Sequence, residues 1–468
     1  MLDKQSGLQA IDSVRLKALI QKYLEVGPYY TSYPTLGEWT ETFGEREYES
    51  ALKDFAESGS DYALYVHYPY CIKLCYFCIC NARVTQDRAA QQKALASISR
   101  ELDALRRLFE KSSHPPRMKE IHLGGGTPSF MELEDFDRFI DSIKSLVGAS
   151  ELDEFAMEID PRTETPEKIM HYAGRGIDRI SFGIQDFDPR VQEAVNRVQS
   201  VEHVRSLLAS ARKLYKGLNF DLLYGLPLQT RESFARTVRI VLDEFSPERV
   251  TLLRYAHVPK IKKHMKMISE SDIVPEAEKV LMFIDTVDTL RAAGYEHVGI
   301  DNFAKPTDSL GAASRNRRAW RNFIGFTPGR VKTMIGVGPS ATSTLSEVYA
   351  QNTYDLQAYY RALEEHEFPI ERGYKMSAED LLRREIIFRI LCDRFVDFSD
   401  IERTFKIDYK ARFREELRSL EDFARDGLLE IPGDDTIRVT PIGCFFTRHM
   451  CKVFDLYARN KVYQIHGT

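Results

Sequence analysis

From residue 62 onward, short β-branched or apolar runs alternate with stretches whose apolar residues recur at helical spacing. This is the pattern of repeated β-α units around a parallel sheet. The runs cover 62–69, 120–125, 154–160, 179–185, 219–227 and 250–256, with weaker ones at 296–301 and 333–338. Between them, Leu133, Phe136, Ile140, Ile143 and Val147 fall on one helical face, as do Phe234, Val238, Val241, Leu242 and Phe245. Thr230 is placed to cap the second of these helices. The stretch 275–293 opens on Pro275 and stops at Gly294, the start and stop asymmetry of a helix. Repeated units of this kind predict an α/β fold with a complete or partial β/α barrel, whose chemistry sits on the loops leaving the C-terminal strand ends.

The flanks read differently. Residues 1–60 predict an N-terminal closing segment, with an amphipathic helix around Val14 to Leu24 and an aromatic, turn-rich run from Tyr29 to Thr35. The barrel is expected over 61–345, a linker helix region over 346–374, and a mainly helical, winged-helix-like domain over 375–468. In that last part Leu428-Leu429-Glu430-Ile431 and Thr436-Ile437-Arg438-Val439 flank the turn Pro432-Gly433-Asp434-Asp435, which predicts a β-ribbon.

Composition narrows the class. Hydrophobic residues at 43% and charged residues at 29% exclude whole-chain disorder and fibrous architectures. With 65 Lys plus Arg against 70 Asp plus Glu, the net charge of −5 lacks the basic footprint of a nucleic-acid binder. The first residues have no apolar signal core, and no run reaches the ~18 apolar residues of a spanning helix, so a cytoplasmic protein without a membrane span is expected. No oligomerisation surface stands out, and a monomer is expected. Of seven cysteines, Cys71, Cys75, Cys78 and Cys80 lie within ten residues, and in a reducing compartment such a cluster suggests metal binding before disulfides.

Cys71-x3-Cys75-x2-Cys78 places three thiolates in the loop after the first predicted strand. Structural zinc wants four ligands, commonly in two separated pairs. An iron–sulfur cubane tolerates three and leaves one iron open. Zinc and unliganded core cysteines stay as the alternatives. The other polar and Gly-rich strand ends fall on the same predicted rim: Gly124-Gly125-Gly126-Thr127-Pro128, Glu158-Ile159-Asp160, Gln185-Asp186, Asp221 to Gly225 and Arg254-Tyr255-Ala256-His257. Singly, each has a plain structural reading. The glycines make a tight turn, the acids cap helices, and His67 and His257 are core histidines.

With Phe77 before the last cysteine, Cys71-x3-Cys75-x2-Cys78 resembles the radical S-adenosylmethionine superfamily. Further motifs resemble its anaerobic (oxygen-independent) coproporphyrinogen III oxidase family. They are Tyr65-Val66-His67-Tyr68-Pro69-Tyr70-Cys71, Cys78-x-Cys80, the glycine run, Glu158-Ile159-Asp160-Pro161-Arg162, Gly183-Ile184-Gln185-Asp186-Phe187, Asn196-Arg197, Asp221 to Pro227, Tyr255-Ala256-His257, Tyr30 to Thr35 and the tail from Arg448 to Asp455. The resemblance implies a partial (β/α)6 barrel of the TIM type, a [4Fe-4S] cluster on Cys71, Cys75 and Cys78, and S-adenosylmethionine in two copies. It implies that Tyr65, Gly125 and Glu158 contact the first copy, and Phe77, Gly126, Thr127, Gln185, Arg197, Asp221 and Ala256 the second. Thr342 joins the cofactor-contacting residues, and Cys80 faces the second cofactor or the substrate as a catalytic residue rather than a cluster ligand. The activity implied is that of an oxidoreductase of haem biosynthesis, with a tetrapyrrole substrate and a reductant protein such as ferredoxin or flavodoxin.

The chain departs from the family's pattern in three places. Tyr29 and Ile324 stand where the family has Arg and Gln, and Thr342 where it has Ile. Loss of a guanidinium removes a bidentate carboxylate partner, for which Arg315, Arg317, Arg318, Arg321 and Arg330 are candidate replacements. Two other readings therefore stay open, a related radical enzyme on a different tetrapyrrole or carboxylate, and a haem-binding chaperone.

Overall fold

The computed structural model describes residues 13–23, 27–147, 151–433 and 435–458. Its centre is a twelve-stranded sheet. In chain order the strands are β1 (Asp61–Tyr68), β2 (Arg117–Gly125), β3 (Glu154–Ile159), β4 (Arg179–Gln185), β5 (Gly217–Tyr224), β6 (Arg249–Arg254), β7 (Glu296–Val298), β8 (Asn302–Ala304), β9 (Met334–Val337), β10 (Thr342–Leu345), β11 (Val348–Asn352) and β12 (Ile370–Lys375). Their spatial order is β12-β11-β10-β9-β1-β2-β3-β4-β5-β6-β8-β7. The stretch from β9 through β6 is parallel throughout, whereas β8 and β7 at one end and β10 to β12 at the other run antiparallel.

All six principal runs become strands, because a parallel strand covered on both faces reads as a nearly continuous apolar stretch. The helical stretch 133–147 forms as its periodicity predicts and 276–292 as its Pro start and Gly stop predict, and the Thr230 hydroxyl accepts from the Ser233 N–H at 3.1 Å. The helix it starts, Arg231–Ile240, ends in one wider turn, Val241–Phe245. Phe136, Ile140, Ile143, Phe234 and Val238 are buried in one core with the strands. Residues 346–374 hold the helix Leu356–Glu365, as well as β11 and the start of β12, which carry the sheet onward.

The C-terminal part forms a second core. Helices Ala378–Phe388, Phe398–Phe405 and Arg414–Arg425 pack with a three-stranded sheet in which Thr436–Val439 lies between Phe395–Asp397 and Leu429–Glu430. The ribbon and winged-helix-like arrangement match the sequence reading, with Asp434 of its turn outside the described residues. Near the other terminus the expected helix is Ser13–Lys22, and Leu24 lies outside the described residues. The aromatic run after it is tied to this second core, since Tyr30 donates to Asp455 at 3.0 Å and Tyr33 accepts from the Leu456 N–H at 3.2 Å.

The opposite, N-terminal rim of the sheet is locked by charge. Arg179 donates to Glu154 and Asp308, each at 2.8 Å, and Arg249 donates to the same two carboxylates at 2.9 and 2.7 Å. Arg179, Arg249 and Asp308 are buried and Glu154 nearly so, and the two charges of each sign cancel. Burial by itself would raise the Glu154 carboxyl; the two guanidiniums prevail and hold it at about 2.

Candidate active site

The cysteine loop leaves the C-terminal end of β1 and is fastened at its base. Tyr70–Cys71 pairs with Arg83–Val84 as a short parallel ribbon, and the glycine run of β2 lies against the lead-in strand. The Gly126 N–H donates to Tyr68 O at 2.6 Å and the Thr127 N–H to Tyr70 O at 2.9 Å. A Cβ on Gly126 would sit 2.6 Å from the Tyr70 carbonyl oxygen, and Gly125 has a φ of +107°, so the two loops approach this closely only with glycine at both positions.

Each thiol has its own environment. Cys71 Sγ accepts from the Thr127 hydroxyl at 3.2 Å, and burial pushes its thiol up to about 12. Cys75 Sγ accepts from Arg162 Nη2 at 3.2 Å and from Arg197 Nη1 at 3.4 Å. Cys78 is drawn down, chiefly by the neighbouring Cys80 thiol, against the opposing effect of burial. The same neighbour is the main reason the Cys80 thiol is raised. Both guanidiniums at Cys75 also hold Asp160, at 2.6 Å from Arg162 and 3.3 Å from Arg197. Burial pushes the Asp160 carboxyl up, yet the guanidiniums outweigh it and keep it below the usual range. The loop is held from outside as well, by Asn196 Nδ2 to Leu74 O at 2.7 Å, His264 Nε2 to Cys78 O at 2.8 Å and Lys262 Nζ to Cys80 O at 3.0 Å.

Three thiols thus face one cavity of about 150 Å³, with hydrogen-bond donors on two of the sulfurs. Among the described residues, no three Cys, His or acidic side chains gather tightly enough to hold a single metal ion. Thiols that share a void, are too spread to hold a single metal ion and are served by cationic donors suit a cubane cluster better than zinc.

Of the residues expected at the cofactors, Phe77, Gly125, Gly126, Thr127, Glu158, Gln185, Arg197, Asp221 and Cys80 line this cavity with the three thiols. Glu158 Oε1 accepts from His122 Nε2 and Oε2 from the Gly125 N–H, both at 3.2 Å. Asp221 accepts from the Ser181 hydroxyl at 2.7 Å, and burial raises its carboxyl. Gln185 ends β4 with a φ of +67°, where the pairing to β5 slips by a residue. Tyr65, Ala256 and Thr342 are not among the lining residues. The Tyr65 ring lies against His122 and its hydroxyl donates to His67 Nδ1 at 3.0 Å; Ala256 follows the end of β6; Thr342 is buried on β10 opposite Gln351. His67 is a satisfied core histidine, because Nε2–H also donates to Asn81 O at 2.9 Å and burial lowers its basicity.

The cavity shares Glu158, Ser181 and Asp221 with a deeper lumen of about 290 Å³ that runs toward the strand starts. Ile324 and Phe323 line it beside Arg321, and of the five candidate arginines only Arg321 does so. Arg315 pairs with Glu296, Arg330 with Asp393, and Arg317 lies over Phe395. Tyr29 lies under the Arg448 guanidinium at 4.0 Å from its ring centre. Glu120, also on the lumen wall, keeps one carboxylate oxygen without a partner; burial, and then Glu154, push its carboxyl up to about 7. Sequence reasoning had quoted Arg162 and Asp160 without a role, and had not singled out His122, Lys262 or His264.

Residues 65–241 match the model of the Radical SAM superfamily, and 376–446 that of the HemN C-terminal domain. The oxygen-independent coproporphyrinogen III oxidase of Pseudomonas aeruginosa is 36% identical over 451 residues, covering 96% of this chain and 97% of its own. That of Escherichia coli is 36% identical over 445 residues, with 95% and 96% covered. The solved structure of coproporphyrinogen III oxidase from Escherichia coli, described as a radical SAM enzyme, superposes with a TM-score of 0.86 at 33% identity, covering 94% of this chain and 98% of that one.

Proposed function

Since the chain belongs to the oxygen-independent coproporphyrinogen III oxidase family of radical S-adenosylmethionine enzymes, we propose that it oxidatively decarboxylates two propionates of coproporphyrinogen III to vinyl groups, giving protoporphyrinogen IX. The observation that carries this reading is the continuity of the cysteine-lined cavity with the lumen through Glu158, Ser181 and Asp221. A substrate in the lumen and a cofactor at the strand ends then meet without crossing solvent. When bound, the [4Fe-4S] cluster and S-adenosylmethionine supply a carbon radical able to take hydrogen from an unactivated C–H bond.

This chain's residues bind, orient and exclude. Cys71, Cys75 and Cys78 hold the cluster, while Arg162 and Arg197 donate to the Cys75 sulfur and offset its charge. Glu158, steadied by His122 and the Gly125 N–H, presents a carboxylate to the ammonium and ribose hydroxyls of the first S-adenosylmethionine, beside Tyr65. A second molecule is placed against Phe77, Gly126, Thr127, Gln185, Arg197 and Asp221, all but two of them polar or charged and all on the same cavity. Ala256 and Thr342 complete the set at the strand ends. Cys80, an exposed free thiol close to Cys78 in the chain, faces the cofactor side of the cavity. In the lumen Arg321, 3.6 Å from Asp301, offers its guanidinium to a substrate carboxylate, with Phe323 and Ile324 as apolar wall. All seven cysteines are free thiols, which suits a reducing, cytoplasmic compartment, and the reading is completed by a monomer that takes electrons from a protein such as ferredoxin or flavodoxin.

Anaerobic reconstitution with iron and sulfide, followed by S-adenosylmethionine, reductant and coproporphyrinogen III, tests the reading. The expected products are 5′-deoxyadenosine and protoporphyrinogen IX, and neither forms with Cys75→Ala. Deoxyadenosine without a decarboxylated porphyrin would point to the related enzyme with another substrate, which Ile324 in the lumen wall favours. Stoichiometric haem binding without turnover would point to a chaperone.

A further inference from the structure

The loop after β6 carries Val258-Pro259-Lys260-Ile261-Lys262-Lys263-His264-Met265-Lys266-Met267, the densest run of cations near the site, on a chain whose net charge is −5. It is fixed directly onto the cysteine loop. His264 and Lys262 donate to the carbonyls of Cys78 and Cys80, Lys262 also reaches the Tyr354 hydroxyl at 3.0 Å, and Met265 is buried beneath. The remaining side chains point away. Lys260, Lys263 and Lys266 are exposed and form no ion pair among the described residues, and the same holds for Lys73 on the cysteine loop. Between these cations lie exposed apolar side chains, Ile261 at 69%, Met267 at 64% and Ile79 at 51%. Along the chain, Glu270 and Asp272 come only after the segment ends, and beside Tyr354 the acids are engaged, Asp355 by Arg83 and Glu371 by the Tyr354 N–H.

Radical chemistry at the cluster consumes an electron that the chain does not itself supply. On the inner side the thiols face the cavity, and Cys75 is buried under Arg162 and Arg197. The outer side of the loop, with Ile72 and Ile79 exposed and Lys73 exposed at the cavity's edge, is where a carrier comes near the cluster without entering the cavity. An apolar centre within a ring of like charge is the composition of a transient docking face, and its sign selects an acidic partner.

Resting on the cluster assignment above, we propose that Lys73, Lys260, Lys263 and Lys266, around Ile79, Ile261 and Met267, dock an acidic one-electron carrier protein. One electron leaves the reduced carrier and enters the oxidised cluster, with no bond made or broken. The cations steer the carrier, so association quickens at low salt and slows as salt screens the charges.

The test uses the full-length, reconstituted protein and reduced flavodoxin as the probe. Two things are measured, the affinity for labelled oxidised flavodoxin by fluorescence anisotropy and the rate of cluster bleaching in stopped flow. K260E/K263E/K266E is expected to bind about tenfold more weakly and to bleach about tenfold more slowly with flavodoxin. With dithionite it should bleach like the wild type, and the wild-type rate with flavodoxin should fall steeply between about 0.05 and 0.5 M salt. K111E/K213E, exposed lysines by the strand starts, should change neither quantity. Equal binding by the triple variant and wild type, a salt-independent rate, or an equal loss in K111E/K213E would overturn the docking surface alone. A protein that takes up no cluster would overturn the reading beneath it.

Discussion

Replacing Arg162 by glutamine removes a guanidinium hydrogen bond of 3.2 Å to the Cys75 sulfur and one of the two cations that hold Asp160. A hydrogen bond to a charged group contributes about 1.5–3 kcal/mol. The ligand sulfur is more negative in the reduced cluster, and with about half of that energy differing between the two redox states, the loss is roughly 1 kcal/mol. For one electron, where about 59 mV corresponds to a tenfold change, this lowers the cluster potential by about 30–65 mV. Asp160, left to Arg197 alone, acts in the same direction by presenting more of its charge to the cluster. R162Q/D160N takes away both charges and should recover at least half of the shift. Titration of the reconstituted protein, followed by the paramagnetic signal of the reduced cluster, measures the potential, with circular dichroism confirming the fold. A potential within about 15 mV of wild type, or one that rises, would refute the argument that these guanidiniums stabilise the reduced state.

Arg249→Met opens the charge ring at the strand starts and leaves Glu154 and Asp308 with one cation, a change expected to cost about 3–5 kcal/mol and several degrees of melting temperature. Glu154 is held at about 2 against an ordinary 4.5, so its contribution is present above pH 4.5 and is lost as pH falls toward 2; calorimetry should show that loss flattened in the variant. Glu120 is shifted the other way, to about 7, so its ionisation destabilises the wild type as pH rises from 4.5 through 7. Glu120→Gln should therefore melt like wild type near pH 5 and higher than wild type at pH 8, by up to about 3 kcal/mol; equal melting at both would contradict the buried position. Gly126→Ala forces the Tyr70 backbone aside and should lower iron and sulfide uptake on reconstitution at least about twofold, whereas Gly37→Ala, with open space around its Cβ, should load normally.

The strands at 61–68 through 249–254 were legible because each buries one face in the core and turns the other into the barrel interior, leaving short apolar or β-branched runs bounded by turns. β11 was not. Its five residues include Gln351 and Asn352, buried polar groups made acceptable by distant partners; Asn352 donates to Glu101, 251 positions away, at 2.6 Å. The third strand of the C-terminal sheet, Phe395–Asp397, is three residues long and carries no period to read. At the site, the thiol spacing is local and was visible at once. The guanidiniums on Cys75 come from 87 and 122 residues away, and no pattern along the chain announces that they meet on one sulfur. The lysine run after β6 carries no pattern of its own along the chain; the carbonyls of Cys78 and Cys80, 186 and 182 residues before the side chains they hold, are what anchor it.

The two ends of the sheet, β12 and β7, do not pair with each other. A closed eight-stranded barrel fixes its bore by strand number and stagger, and leaves room for side chains or one small ligand. Here the bore is an adjustable calliper. Its gauge is set by pieces that are not part of the sheet, namely Thr31 from the N-terminal run and residues 323–327 of the hairpin 320–327, which line the lumen. Ligand width is therefore written in a hairpin tip, where exchange of one residue such as Ile324 alters the aperture without disturbing strand register, and the reactive end of the sheet keeps its geometry while the gauge is changed.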